Sequence, residues 1–439
     1  MEHLKDTLLS SFIVFENQLN GQKKTEFHRL RQKALEAFEQ KGFPTKREED
    51  WKYTNLRPIT KYDYRIFHPK EKNLDLNVAR KFFLSETDTY RIVFVDGYYA
   101  SWLSHTTHHQ YDICTFSALL NRFGDIATEY VGRLINYSDS ITALNTAFAR
   151  EGAYVFVPDN KVVDKPIEII YFSTDCDVPM LHQPRNLLVF GKNSRATIIE
   201  SHYSLGNKPV LTNAGTEVFL HEGAILDHYK LQNDHGEAAL IDNTVYQLES
   251  YAVLNLTTMS FGGKMVRNSP TVKLTQPMAE AHLWGLTLLN GSEIVDHHTS
   301  IQHIAPHCQS NELYKGVFDG DSTGIFNGKV YVAPHAQKTN AFQQNSNILL
   351  SPRATVDTKP QLEIFANDVK CSHGCTVGQM DAEAMYYLRQ RGIAEQKARS
   401  LLLLAFSGEI TDKIALPELK SKVIQVLNQK NQIDFEFEL

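Results

Sequence analysis

A parallel β-helix flanked by helical regions at both ends is the fold the sequence predicts, and three observations carry it. A small residue followed by an alternating apolar pair recurs at Ala196, Ala224, Ala252, Ala281 and Asn311, with steps of 28, 28, 29 and 30 residues. No helical segment fits inside one period, so each repeat is one coil that buries its face on the next. The 3.6-residue period is confined to the two ends of the chain. The fold class is therefore mainly β, in three segments: an N-terminal helical region and connection (1–150), the β-helix core (151–375) and a C-terminal helical domain (376–439).

The first segment contains TEFHRLRQKALEAFEQKG (25–42), which places Phe27, Leu30, Ala34, Leu35 and Phe38 on one stripe and stops at Gly42. Pro44 opens a charged connection ending on Trp51 and Tyr53. Further on, AYVFVPDNKVVDKPIEIIYFS (153–173) and RNLLVFGKNSRATIIESHYS (185–204) are short β-branched and aromatic runs broken by turn residues, the pattern of strands. After residue 370 helices return. DAEAMYYLRQRG (381–392) has Asp381 as N-cap and Gly392 as stop, IAEQKARSLLLLAFSGE carries four consecutive leucines, and Pro417 opens PELKSKVIQVLNQ. The run LLLLAF has more apolar surface than one helical face buries, so it belongs deep in the helical packing or against a partner.

The chain has 439 residues, 42% hydrophobic and 22% charged, which is ordinary for a globular protein, and a net charge of −6 that argues against nucleic-acid binding. Five cysteines do not make a disulfide framework, which favours a reducing compartment. The apolar run near the N-terminus is interrupted by Ser10 and Ser11 and flanked by acids, too short and too charged for a signal peptide or a spanning helix. A cytoplasmic protein with no membrane association is expected.

Two stretches carry candidate ligands. In VKCSHGCTVG (369–378), Cys371, His373 and Cys375 share one face if the strand is extended. Alternate residues are then roughly 6.7 Å apart and the two thiols about 13 Å apart. Metal–ligand bonds of about 2.0–2.3 Å do not let one ion take both, although Gly374 offers a bend. The missing ligands of a four-donor shell would come from elsewhere in the fold or from another chain. Spacing alone leaves a second reading open, two small core thiols beside a satisfied histidine. The other stretch, DHHTSIQHIAPHCQS (296–310), is metal-like in composition, with His297, His298, His303, His307 and Cys308. Strand alternation puts His297 and His303 on one face and His298 on the other, and Pro306 rules out a helix pairing His303 with His307, so a structural or surface role is expected. No phosphate-binding loop, nucleophile elbow or dinucleotide fingerprint occurs, so the chain is not expected to hydrolyse ATP.

Three motifs, PTKREEDWKYTNL (44–56), DTKPQLEIFANDVKCSHGCTVG (357–378) and YYLRQRGI (386–393), resemble the SufB/SufD family of iron–sulfur cluster assembly scaffolds. The likeness runs through most of the chain and is weakest over about 60–150. Within the family the chain is more similar to the SufD branch. Asn345 stands where SufB has a cluster cysteine, CSHGCT replaces a glutamate-rich segment, and no cysteine lies between Cys176 and Cys308.

The resemblance implies a right-handed β-helix and a non-catalytic scaffold that pairs with SufB. It further implies that the C-terminal helices dock the SufC ATPase, which holds the ATPase activity. A nascent iron–sulfur cluster, transient and shared with SufB, would take His373 as a ligand from this chain and Cys371 as an accessory one, with none permanently bound in the isolated chain. Cys375 departs from the family, which usually has a small non-thiol residue there, and either adds a ligand or fills the same space. Exposed strand edges would also allow a homodimer when partners are absent. Two alternatives remain: a SufB-like paralogue acting as main scaffold, or a free-standing β-helix enzyme acting on polysaccharides through surface acids such as Glu222, Asp227 and Asp296.

Overall fold

The computed structural model describes residues 1–19, 22–66, 73–85, 88–108, 110–135 and 137–430. Two ten-stranded sheets face each other across a common interior. From Arg195 onward the chain alternates between them, one strand in each per coil, and every pairing between successive coils is parallel. We call the sheet ending in Lys370–Gly378 the front sheet and the one ending in Thr355–Ile364 the back sheet. The expected parallel β-helix flanked by helices is thus the observed architecture.

The repeat has the right period but the wrong phase. Ala196 and Ala281 fall in the column of Leu226 and Leu254, Ala224 and Ala252 in a second column and Asn311 in a third with His282, so the five anchors do not stack on one another. The column of small residues lies at a corner, where the amide of the next coil's first strand residue donates to Ser194, Ala224, Ala252, Ala279, Cys308 and Thr339 in turn. All six are buried. The chain turns tightly there, and a bulky side chain would meet the same corner of the coil above. Cys308 is therefore a small corner residue, consistent with the structural role expected for it.

Inward-facing positions build the core: Leu226, Leu254, Leu256, Ala281 and Leu283 from the front sheet meet Tyr246, Val272, Ile301 and Phe326 from the back. Helices cover the outer faces. On the back sheet, helix Glu2–Asn17 buries Leu4, Leu8, Phe12 and Phe15, the i, i+4 stripe of an amphipathic helix, near Leu211, Ile241 and Met265. Helix Glu26–Lys41 starts at Thr25, whose hydroxyl accepts from the His28 amide at 3.3 Å, and ends at Gly42, where φ is +65°. Its stripe buries Phe27, Ala34 and Phe38 as expected, and also Arg31, which donates to the Ala149 carbonyl and Gln22.

The front sheet is covered by Glu395–Thr411 and Pro417–Lys430, which pack Leu403, Ile410, Leu419, Val423 and Leu427 near Met259, Leu286, Leu288, Leu313 and Val317. In the leucine run only Leu403 is buried; Leu401, Leu402 and Leu404 are half-buried. Residues 431–439 of the predicted C-terminal segment lie outside the described residues. The sheets also take in Tyr90–Val95, Tyr98–Tyr99 and Asp112–Thr115, from the stretch expected to be helical and connecting. These strands precede the repeat and so carry no periodic signal, although YRIVFV is β-branched and aromatic.

One N-terminal turn straps the last coils together from outside the back sheet. The turn Glu49–Trp51 lays the buried Trp51 ring under the Arg267 guanidinium, 4.0 Å from the ring centroid. Arg267 also donates to the Asp50 carbonyl at 2.8 Å and to Asp296, which takes the Thr54 hydroxyl as well. Asp50 lies 3.5 Å from His298, and Glu49 pairs with Lys359 on the last back-sheet strand. The acidic and aromatic residues of PTKREEDWKYTNL are thus a clasp between sequence-distant parts of the fold. Replacing Asp296 by alanine leaves the buried Arg267 charge without its carboxylate and should cost about 3–5 kcal/mol, read as a lower urea midpoint. An unchanged midpoint would show that the clasp does not hold the coils.

Candidate functional site

The strand Lys370–Gly378 pairs in parallel with Asn340–Leu349, matching Cys371 with Ala341, His373 with Gln343, Gly374 with Gln344 and Cys375 with Asn345. Pairing runs unbroken through Gly374, so the chain does not bend there and the two thiols stay about 13 Å apart. Paired residues in neighbouring parallel coils face the same side. Ala341, Gln343, Asn345 and Asn347 are buried and point inward. Cys371, His373 and Cys375 therefore occupy the last position of three inward-facing columns.

No further coil closes those columns. Thr355–Ile364 and Lys370–Gly378 are the terminal strands of their sheets, and among the described residues nothing pairs with their outer edges. Cys371 is half-buried, while His373 and Cys375 are exposed. All three side chains thus stand on the open end of the β-helix. Burial pushes the Cys371 thiol up, toward its protonated form. Among the described residues no group of three His, Cys, Asp or Glu side chains is arranged to hold one metal ion. The row offers one imidazole and two thiols as separated donors, suited to iron but incomplete as a shell.

The histidine-rich stretch is structural, as alternation predicts. His297 and His303 point inward, where Nε2 of each bonds a hydroxyl, Thr287 at 2.8 Å and Ser310 at 2.9 Å. Burial pushes both imidazoles down to about 4, so they are neutral. His298 faces outward to Asp50 in the clasp, and His307 sits at a turn with φ of +60°. The acids that a polysaccharide-active enzyme would use are each taken by other partners. Glu222 lies 3.2 Å from Lys192, Asp227 accepts from Asn255 at 2.8 Å, and Asp296 belongs to the clasp. No two of them form a carboxylate pair.

A second exposed surface lies on the helix Ala382–Gln390. It is capped by Asp381, whose carboxylate accepts from the Glu383 amide at 2.9 Å and the Ala384 amide at 3.1 Å, and it buries no residue. Tyr386 and Tyr387 are 66% and 59% exposed beside Leu402, far above what an aromatic on a helix docked inside its own domain retains. Sequence reasoning placed this helix correctly but did not single out its tyrosines; two adjacent aromatics on a short terminal helix are the signal that would have found them.

Residues 172–406 match a family model described as "SUF system FeS cluster assembly, SufBD core domain", and residues 2–169 match "SufBD protein N-terminal region". An iron–sulfur cluster assembly SufBD family protein of Synechocystis sp. is 31% identical over 91% of this chain and 90% of its own length. The iron–sulfur cluster assembly protein SufD of Escherichia coli is 29% identical over 91% of this chain and 92% of its own, and SufD of Bacillus subtilis is 26% identical over 66% of each.

The buried histidines give the fold a definite acid response. A histidine at about 4 when folded and 6.5 when unfolded contributes stability that is complete above about pH 6.5 and is lost as pH falls toward 4, because the unfolded chain takes up the proton first. Between pH 7 and pH 5 His303 alone should account for about 1–2 kcal/mol of lost stability. His303→Gln, which keeps a partner for Ser310, should lose that much less over the same interval in urea unfolding. Equal losses in the two proteins would mean that His303 is not held neutral.

Proposed function

The chain belongs to the SufBD family of iron–sulfur cluster assembly proteins, and on that premise we propose that it is a SufD-type, non-catalytic scaffold that pairs with a SufB-type partner at the open end of its β-helix. The observation that carries this reading is the row Cys371, His373 and Cys375 on an uncapped coil. Its donors are of the right chemistry for iron, but they are too few and too far apart to make a site alone. The neighbouring chain supplies the remaining ligands of a nascent cluster, which is cargo and not a resident group. His373 is the principal ligand from this side, with a neutral imidazole nitrogen, and Cys371 is the accessory ligand once its proton is released. Cys375 fills space over Asn345.

The same open end explains why a partner is needed. Two parallel strands with unpaired outer amides and carbonyls are a ready template for another strand, and covering them removes an aggregation hazard while it seats the cluster. A second copy of the chain covers the same edges when SufB is absent. In the division 1–150, 151–375 and 376–439, the first segment braces the coils, the second presents the ligands and the third docks a SufC-type ATPase through Tyr386 and Tyr387. ATP hydrolysis resides in that ATPase.

Co-expression with SufB- and SufC-type partners and purification through a tag on this chain should yield an assembly holding both. In that assembly His373→Ala should lower retained iron more than about 100-fold, beyond the roughly 10–100-fold typical of residues that only support a ligand. Cys371→Ala should give a smaller loss and Cys375→Ala none. Full iron retention by the His373 variant would reject the ligand assignment. Replacing Tyr386 and Tyr387 by glutamate should release the ATPase while leaving the urea midpoint unchanged, because neither ring is buried. An ATPase that stays bound would place its docking surface elsewhere.

A further inference from the structure

The column that ends in His373 changes character just before it gets there. Reading down the in-register pairs, His373 stands over Gln343, Gln343 over Glu312, Glu312 over Leu283, and Leu283 over Leu256. Immediately below Glu312 the column is apolar, Leu283 and then Leu256, with His228 one coil further down. The two coils beneath the open end instead carry an acid and an amide, both almost wholly buried. Polar groups in such a position are costly unless each finds a partner.

The pair is half satisfied. Gln343 Nε2 donates to Glu312 Oε2 at 2.6 Å. Burial pushes the Glu312 carboxyl up to about 7, and in either protonation state Oε2 keeps a lone pair for the amide. The opposite sheet makes room for this arrangement with Gly328, whose added Cβ would fall 2.4 Å from Gln343 Nε2. With its nitrogen held by Glu312, the amide presents its other end, Oε1. That oxygen is buried and has no hydrogen-bond partner among the described residues. The residue directly over it, one strand spacing or about 4.8 Å away, is His373.

We infer that Gln343, held in orientation by Glu312, is the positioning residue of His373, with Gln343 Oε1 accepting the Nδ1–H of the imidazole so that Nε2 faces outward from the open end. The inference rests on the reading of His373 as a ligand and adds what holds it. A histidine bound to metal almost always donates its other ring N–H to a carbonyl or carboxylate, which fixes the tautomer and ring plane. The neighbouring columns lack such support, since Cys371 stands over Ala341 and Cys375 over Asn345, whose Oδ1 already accepts from Asn347 Nδ2 at 2.6 Å. Of the three residues in the row, His373 is therefore the one with an oriented acceptor beneath it.

The test reads the tautomer in the full-length chain and iron in the partner complex. Long-range proton–nitrogen spectra of the chain labelled with 15N-histidine, with His373 assigned by its loss in His373→Gln, should show the Nδ1–H form predominating. Gln343→Met, of similar size but without an acceptor, should return the ring to the Nε2–H form that free imidazole prefers, and should lower iron retained by the complex about 10–100-fold. Gln343→Glu, which restores an acceptor, should recover both signals. Gly328→Ala, which displaces the amide from the opposite sheet, should reproduce the tautomer change if Gln343→Met does not fold. An unchanged tautomer and unchanged iron in Gln343→Met, alongside a loss of iron in His373→Ala, would overturn the inference and leave the ligand reading standing. A tautomer shift with full iron retention in His373→Ala would remove the ligand reading and, with it, the positioning role.

Discussion

In-register parallel stacking decides what every residue of this protein can touch. Each side chain has its counterpart one coil above and one coil below, about 4.8 Å away, so a position's chemistry is set by its column more than by its neighbours in sequence. Small residues from Ser194 to Thr339 hold a corner because the corners above and below leave no room. Leucines and alanines fill the inward columns because each coil buries the last. The same rule determines the end of the molecule. A column that stops must show its last residue to whatever comes next, and in the front sheet those last residues are Cys371, His373 and Cys375.

Solvent protection follows the same geometry. The two outer faces are covered by helices, N-terminal on the back sheet and C-terminal on the front, while the open end and the helix Ala382–Gln390 stand exposed. The open end is the more constrained of the two. Its last back-sheet strand is held from outside by the Glu49–Lys359 pair, and two and three coils in, the Asp50, Asp296 and Arg267 contacts fix strands that carry the interior. Exposed ion pairs contribute little on their own. The buried Trp51–Arg267–Asp296 group gives the clasp its strength, and Glu49 extends it to the terminal coil. A terminal coil needs this kind of bracing, since an unpaired edge strand otherwise frays.

Much of the fold was legible in the sequence, because a β-helix writes its period into spacing and its faces into alternation. The parity argument put His297 and His303 on one face and His298 on the other, and Gly42, Asp381 and Pro417 marked helix ends where they occur. Phase was not legible. Coil lengths vary by a residue or two, so an alanine at a corner and an alanine inside a strand look alike until pairing separates them. The clasp was out of reach for a different reason: Glu49 and Lys359 are 310 residues apart, and nothing local in either segment names the other. Glu312 and Gln343 read as ordinary polar residues of strands; only their inward parity, two coils in succession, marks them. The donors of VKCSHGCTVG were visible, and the alternatives that spacing left open differ in whether a coil lies beyond them.

The central claim is that the imidazole of His373 is presented from this chain to an iron centre shared with a partner. Pulsed electron paramagnetic resonance of the assembled complex tests it most directly, with this chain alone labelled with 15N-histidine and the cluster in a paramagnetic state. The account predicts a strongly coupled 15N signal from one imidazole, lost in His373→Gln. A cluster that forms in the same complex with no 15N coupling from this chain would contradict it.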